Sequence, residues 1–362
     1  MKASSDVRST LTRARVRALR AALLAWFARE RRDLPWRRTR DPYAIWISEA
    51  MLQQTRVETV VPYFERFLAR LPDVGALANA PEDEVLALWS GLGYYSRARS
   101  LRRAAQELVT RHGGEFPRTR AGWLALPGVG PYTAGAVLSI AFAASEALVD
   151  GNVQRVFARL FGLELQHGSP ALAAACWALA AELVPAPGEG HDPGQWNQAL
   201  MELGARVCTP RAPACASCPL RSECRAQALG RAGELPLPKE RRTPIAVELE
   251  LAGVQHAGRW LLVRRPARGR MAGLLELPTR ERAVLGSTRL WPADFPGAIE
   301  LEEVELARVA HAITHHRIRA TLRRATLAGP LPEAGLWATP AQCATLSLTG
   351  LTRKVLAGQG GA

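Results

Sequence analysis

The sequence predicts two domains, an all-helical one followed by a smaller α+β one, and three observations predict it. At 362 residues the chain exceeds the usual size of a single domain. From Val16 to about Ala228, alanine, leucine and arginine recur at the 3.6-residue spacing of helices, with short Pro/Gly breaks such as "LPDVG", "HGGEFP" and "PAPGEGHDPG". Beyond "GRAGELPLPKERRTP" (230–244), whose proline, glycine and charge read as an interdomain linker, the hydrophobic period becomes two.

Taken in order, the opening "MKASSDVRSTLTRARVRALRAALLAWF" reads as the start of an amphipathic helix, with no apolar core followed by a cleavage site. "DPYAIWISEAMLQQTRVETVVPYF" (41–64) contains a helix on which Ile45, Trp46, Ile47, Met51, Leu52, Val57, Val60 and Val61 point in nearly every direction, so it is expected to be buried on most sides. Glu49, Gln53 and Arg56 share the narrow polar stripe that remains. Burial would lift the Glu49 carboxyl toward neutrality, unless Arg56 lies close enough to form a buried ion pair.

"LPGVG" separates a helix ending near Leu126 from one starting at Pro131, where proline suits the first helical position. Gly128 and Gly130 are expected to adopt backbone conformations closed to other residues. The free N–H groups beyond them would then form an anion site suited to a DNA phosphate, the alternative being a plain tight helix–helix turn. "VDGNV" places Asp150 at the start of the next helix, where it is expected to cap. In the second domain "IAVELELAGV" and "WLLVRR" alternate on either side of "QHAG", a hairpin signal, and "RIRATLRRATL" puts Ile318, Ala320 and Leu322 on one face. The tail from Gly358 is expected to be disordered.

Net charge is +14 with a pI near 10.5, which points to an anionic partner, nucleic acid before membrane. The basic residues are nearly all arginine, with lysine only at Lys2, Lys239 and Lys354, so a GC-rich genome is the competing explanation. No apolar run nears the roughly 20 residues of a bilayer span, and a soluble, cytoplasmic, nucleoid-associated protein is expected. Of six cysteines, Cys176 and Cys343 stand alone and read as core filler. Cys208, Cys215, Cys218 and Cys224 lie within seventeen residues at spacing C-x6-C-x2-C-x5-C, a ligand set for [4Fe–4S] or tetrahedral zinc.

In their joint order "LPWR", "SEAMLQQTRVETVVPYFERF", "GLGYYSRARSL", "LPGVGPYTAGAV" and "VDGNVQRV" resemble the MutY family of adenine DNA glycosylases, within the helix-hairpin-helix superfamily, over 34–229. The resemblance implies a glycosylase domain over 1–229 with an iron-sulfur loop at 208–224, a linker at 230–244, a Nudix-like 8-oxoguanine recognition domain at 245–357 and a tail at 358–362. It implies removal of adenine mispaired with 8-oxoguanine or guanine in double-stranded DNA, during base excision repair, by a single copy of the chain. Glu49 would act as general acid at N7, and Asp150 would stabilise or transiently capture the oxocarbenium-like sugar, with Tyr132 and Asn152 orienting them. Trp36, Arg37 and Gln198 would line the adenine pocket, and Gln54 and Tyr94 would enter the base stack. Gln53, Arg56, Gly128 and Gly130 would join the DNA-binding set. The resemblance favours a [4Fe–4S] cluster on the four cysteines over zinc.

Tyr132 stands where the related endonuclease III carries a lysine that forms a Schiff base with the sugar, so no lysine-dependent strand cleavage is expected. The second domain resembles the Nudix-like domain of the family, although "ARGRMAGLLELPTRERAVL" lacks the run of glutamates that would hold magnesium. In its recognition loop "HAITHH", Ile313 replaces an aromatic residue, Thr314 keeps a hydroxyl, and His315 follows; an exposed basic strand is the alternative. The competing functional classes are a lyase of the endonuclease III type and a DNA-binding protein without activity.

Overall fold

The computed structural model describes residues 11–239, 243–266, 271–282, 289 and 291–359; Lys2, residues 240–242 of the expected linker and the last three residues lie outside them. The chain divides into two compact units. The first takes the described residues up to Asn79 and from Ser100 to 239; the second takes Ala80–Arg99 and the described residues from 243 onward.

The helices are α1 (Arg13–Glu30), α2 (Pro42–Leu52), α3 (Val57–Arg70), α4 (Val74–Asn79), α5 (Glu82–Leu88), α6 (Ser96–His112), α7 (Arg120–Leu124), α8 (Pro131–Phe142), α9 (Gly151–Leu160), α10 (Pro170–Leu183), α11 (Pro193–Arg206) and α12 (Arg225–Ala228). Their starts are built alike: Asp41, Ser169 and Asp192 cap α2, α10 and α11, each followed by proline at the first helical position. Helix α2 is buried continuously from Tyr43 to Met51 and α8 from Thr133 to Ile140, so these two form the centre of the unit. Trp46 meets Trp123 edge to face at 5.9 Å.

Helix α8 meets both α11 and the segment leading to α9 at backbone contact, because glycine stands at each approach. A Cβ on Gly135 would lie 2.1 Å from the Ala147 carbonyl oxygen, and one on Gly194 would lie 2.6 Å from that of Ser139. Cys176 and Cys343 are both buried, as expected of core filler.

Two expectations about organisation need revising. The linker does not begin at residue 230. Leu235 is buried, its carbonyl accepts from Arg159 Nε at 2.8 Å, and Leu237 exchanges backbone hydrogen bonds with Leu165 and His167. Composition marked this stretch as a linker, but a buried arginine and the backbone at 165–167 bind its carbonyls and N–H groups. Residues 80–99, expected in the helical domain, belong to the second unit. There Tyr95 Oη donates to Leu348 O at 3.5 Å and Arg353 Nη2 donates to Ser90 Oγ at 2.6 Å.

The second unit holds a seven-stranded sheet of β1 (Ile245–His256), β2 (Arg259–Arg264), β3 (Leu275–Glu276), β4 (Thr279–Glu281), β5 (Ile299–Ile313), β6 (His316–Leu327) and β7 (Gly335–Ala338), followed by α13 (Pro340–Thr345) and α14 (Gly350–Ala357). The order is β3-β2-β1-β6-β5, with β4 paired to β1 and β7 to β2. The expected hairpin is present: β1 and β2 pair antiparallel across Ala257 and Gly258, both at positive φ, as a two-residue turn requires. Ile318, Ala320 and Leu322 face one core together with Val247, Leu249 and Leu251 of the parallel neighbour β1. No helix among the described residues is long and apolar enough to cross a membrane.

Replacing Gly135 by alanine drives a methyl group into the Ala147 carbonyl, which cannot be cleared without shifting α8 or the segment that leads to α9. The expected loss of stability is about 2–4 kcal/mol, read as a lower denaturant midpoint.

Candidate active site

One cavity of about 160 Å³ in the first unit gathers residues from five separate segments. Trp36 and Arg37 come from a 3-10 turn, Ser48 and Glu49 from α2, and Tyr132 from the start of α8. Asp150 and Asn152 come from the start of α9, and Gln198, Met201 and Glu202 from α11.

Glu49 is 3% exposed. Burial pushes its carboxyl up, a hydrogen bond from Tyr132 opposes this, and the balance with Asp150 above and Arg37 below leaves it at about 7. Tyr132 Oη donates to Glu49 Oε2 and lies 3.3 Å from Met201 Sδ. Burial beside two carboxylates raises the phenol well above its ordinary range, so it remains a donor. Helix α2 ends at Leu52, and this settles what Glu49 pairs with. Gln54 adopts φ +60, breaking the helix, and Arg56 caps α3 while exposed to solvent. The polar stripe of Glu49, Gln53 and Arg56 therefore does not form, nor does a Glu49–Arg56 ion pair. Gln53 reaches inward, Nε2 lying 3.4 Å from Thr133 Oγ1, while Gln54 is exposed in the turn.

Asp150 both caps α9 and lines the cavity, as the two readings of "VDGNV" allowed. Its Oδ1 accepts from Val153 N at 2.7 Å and its Oδ2 from Asn152 Nδ2 at 2.9 Å. Burial raises the carboxyl while these two donors hold it down, leaving it above its ordinary value. Asn152 is oriented in turn by Arg155, whose Nη2 donates to Asn152 Oδ1 at 2.8 Å and to Gly204 O at 2.7 Å.

Glu202 is the acidic member of the site that sequence reasoning missed, together with Arg32, Ser48 and Met201 of the lining. It is 1% exposed; Arg32 grips both its oxygens at 2.8 Å, and Arg37 adds a bond to Oε2 at 2.8 Å. Burial opposes ionisation, yet the two arginines prevail and hold the carboxylate at about 2. A lone glutamate within a helix carries no signal of this kind, because its partners lie some 165 residues away.

At the glycine corner Gly128 has φ +76, and a Cβ there would fall 2.4 Å from Ser100 Cβ, so glycine is required. Gly130 has φ −104, ordinary extended backbone with open space where a Cβ would go. Only one of the two glycines thus answers the conformational expectation. Tyr94, Thr314 and His315 belong to the second unit. Tyr94 is 53% exposed at φ +48. Thr314, at φ +55, and His315 form the two-residue turn between β5 and β6, with Thr314 Oγ1 donating to Ile313 O at 2.7 Å.

Residues 47–182 match the HhH-GPD superfamily of base excision DNA repair proteins, and residues 251–358 match the NUDIX domain family. The human adenine DNA glycosylase is 36% identical over 94% of this chain and 74% of its own length. The chain belongs to the adenine DNA glycosylase family. The rat member is 38% identical over 88% of the chain and 72% of its own length. The helical unit of this glycosylase also resembles a thermostable thymine-DNA glycosylase, with a TM-score of 0.53 and 32% identity over 59% of the chain and 97% of that structure. An endonuclease III trapped on DNA shares the fold at 24% identity, with a TM-score of 0.50 over 61% of the chain and 99% of that structure.

The four clustered cysteines of the glycosylase surround a second, small cavity together with Arg159 and Arg221. None is in a disulfide. Arg159 Nη1 lies 3.3 Å from Cys208 Sγ, a donor suited to a thiolate, and the Cys208 carbonyl accepts from Arg155 Nε at 2.7 Å. Among the described residues no group of three or more His, Cys, Asp or Glu side chains is arranged to hold a single metal ion.

Two consequences can be measured. A buried acid raised from 4.5 to about 7 weighs nothing on the fold while protonated, and its cost grows as pH climbs between those values and then levels off. Glu49→Gln is therefore expected to stabilise the protein by about 1–3 kcal/mol at about pH 8, the gain vanishing near pH 4 in melting experiments. A Cβ on Gly204 would lie 2.6 Å from Asn152 Cβ. Gly204→Ala should displace the Asp150–Asn152 pair and slow single-turnover base excision about tenfold or more, a larger loss than its effect on melting explains.

Proposed function

We propose that this glycosylase hydrolyses the N-glycosidic bond of adenine mispaired with 8-oxoguanine, and also with guanine, leaving the sugar–phosphate backbone intact. The observation that carries the reading is that Glu49 and Asp150, from different helices, line one cavity in different electrostatic settings. Adenine must leave the duplex to reach them. Glu49, poised near neutrality, keeps a proton for N7 of the extruded base, which turns adenine into a better leaving group. The Tyr132 bond to Oε2 leaves Oε1 to face the substrate. Asp150, with two donors favouring its charged form, stabilises the positive sugar from below or captures it briefly before water attacks. Glu202 gives the cavity a permanently charged acceptor suited to the exocyclic amine, while Trp36, Arg37 and Gln198 complete the wall.

Tyr132 also supports a reaction without strand cleavage. A phenol cannot form a Schiff base, and no lysine lines the cavity. Gly128, Gly130 and the start of α8 would take a DNA phosphate, with Gln53, 3.4 Å from Thr133 at that helix start, and Arg56 completing the DNA-facing set. Gln54 and, in the second unit, Tyr94 are the side chains that would enter the base stack. Thr314 and His315, at a hairpin tip, are the groups we assign to reading 8-oxoguanine opposite the adenine. Four thiols around one cavity, one of them facing an arginine, fit a [4Fe–4S] cluster held by Cys208, Cys215, Cys218 and Cys224. When bound, such a cluster would cross-link the loop and contribute folding energy, since base hydrolysis transfers no electrons. One lesion pair requires one copy of the chain.

Duplexes carrying each mispair, treated with the protein and then with or without alkali, test the reaction. Breaks are expected only after alkali and only in the adenine strand, with Glu49→Gln and Asp150→Asn each slower by about a hundredfold or more. Efficient borohydride trapping of a protein–DNA adduct, or full rate in either variant, would overturn the assignment. Excision should also decline as pH rises through about 7, where Glu49 loses its proton. For the cysteines, purified protein should show sulfur-to-iron charge-transfer absorption that Cys215→Ser weakens; a zinc content without that absorption would favour the other metal.

A further inference from the structure

Tyr94 combines two unfavourable features. It is a large aromatic residue half exposed to solvent, and its backbone sits in the left-handed region at φ +48. Gly91 and Gly93 on the same loop also have positive φ, at 109° and 71°, so nothing in the local backbone preference defines where the ring is presented. A side chain defines it instead. Arg97 Nη2 donates to the carbonyls of both Leu92 and Gly93 at 3.1 Å, and its guanidinium carbon lies 5.2 Å from the centroid of Trp89 and 5.7 Å from that of Tyr94. Trp89 is fully buried and donates its indole N–H to the same Gly93 carbonyl at 3.1 Å. The far side of the loop is tied by the Ser90–Arg353 bond.

We propose that Arg97 is the positioning residue for Tyr94: its guanidinium, flanked by the Trp89 and Tyr94 rings, holds the two carbonyls that set the loop and so presents the phenol ring to the lesion pair. This rests on the reading that Tyr94 enters the base stack. The planar group is suited to the task because its edge donates while its faces meet aromatic rings, which an ammonium cannot do at once. Burial lowers the Arg97 pKa to about 10, leaving it charged at neutral pH. The work of Arg97 is preorganisation, since a ring already in place loses less freedom on binding than one that must be fixed by the DNA.

A double-mutant cycle separates positioning from general support of the fold. The readout is discrimination, the ratio of affinities for a duplex bearing 2′-fluoro-deoxyadenosine opposite 8-oxoguanine and for a matched duplex. Tyr94→Ala and Arg97→Met should each lower it about tenfold, Arg97→Lys should fall between wild type and Arg97→Met, and Arg97→Met added to Tyr94→Ala should change it by less than about twofold. Losses that add in full, or loss from Tyr94→Ala with none from Arg97→Met, overturn the role of Arg97 and leave stack entry standing. No loss from Tyr94→Ala overturns stack entry itself, and with it this role. Should Arg97→Met fail to fold, as judged by its melting curve, Arg97→Lys takes its place in the cycle: a loss absent beside Tyr94→Ala supports the role, and one that adds in full overturns it.

Discussion

A carboxyl group buried inside an apolar helix is the constraint on which the rest of the site depends. Glu49 stands among residues that are themselves buried from Tyr43 to Met51, and little water reaches it to solvate a charge. The fold limits the cost by keeping the group protonated near neutrality and giving one oxygen the Tyr132 hydroxyl. Stability is lost as pH climbs from about 4.5 to about 7 and no further above that, which leaves a protonated carboxyl in the cavity near neutral pH. Asp150 faces the same cavity under different rules, with a backbone N–H and an amide favouring its charge. The opposite tasks proposed for the two carboxyls require such a difference in surroundings.

Bringing those groups together demands that helices touch backbone to backbone. Gly194 and Gly204 occupy helix crossings and Gly135 faces the Ala147 carbonyl between α8 and α9; a side chain at any of the three would collide, and Gly204 meets Asn152 itself. Arginines then fasten the result. Arg155 ties Asn152 to the carbonyls of Gly204 and Cys208, while one turn along α9 Arg159 gathers Cys208 Sγ, Thr209 O, Pro210 O and Leu235 O. The cysteine loop and the segment leading out of the first unit are thus assembled on the helix that begins with Asp150.

In the second unit buried acids serve packing. Glu276 is raised by burial and relieved by Arg265, whose Nη1 lies 2.7 Å from Oε1, and by the Trp291 indole. Glu281 accepts from the Trp291 backbone N–H at 2.9 Å, and Glu250 from Arg280 at 2.7 Å. Each of these three carboxylates is thus met by an arginine or tryptophan donor of the same unit. What the sheet presents is a hairpin whose tip, Thr314 and His315, is set by the register of β5 on β6.

The two-domain division, the helical and alternating periods, the glycine corner, the cysteine spacing and the placing of Glu49 in an apolar helix were all legible in the amino-acid order, because each is written in neighbours a few residues apart. Motifs read together also brought Asp150, Asn152, Tyr132 and Trp36 under suspicion. Folding in three dimensions was needed to establish that α2 stops at Leu52 and frees Glu49 from Arg56, that Gly128 but not Gly130 needs to be glycine, that residues 80–99 side with the sheet, and that Glu202 belongs to the site. Each of these turns on an atom contributed from a distant part of the chain: a hydroxyl, a serine Cβ, a carbonyl, two guanidinium groups. Local periodicity records which face of an element is apolar, whereas the partner that satisfies a buried polar group is chosen by packing.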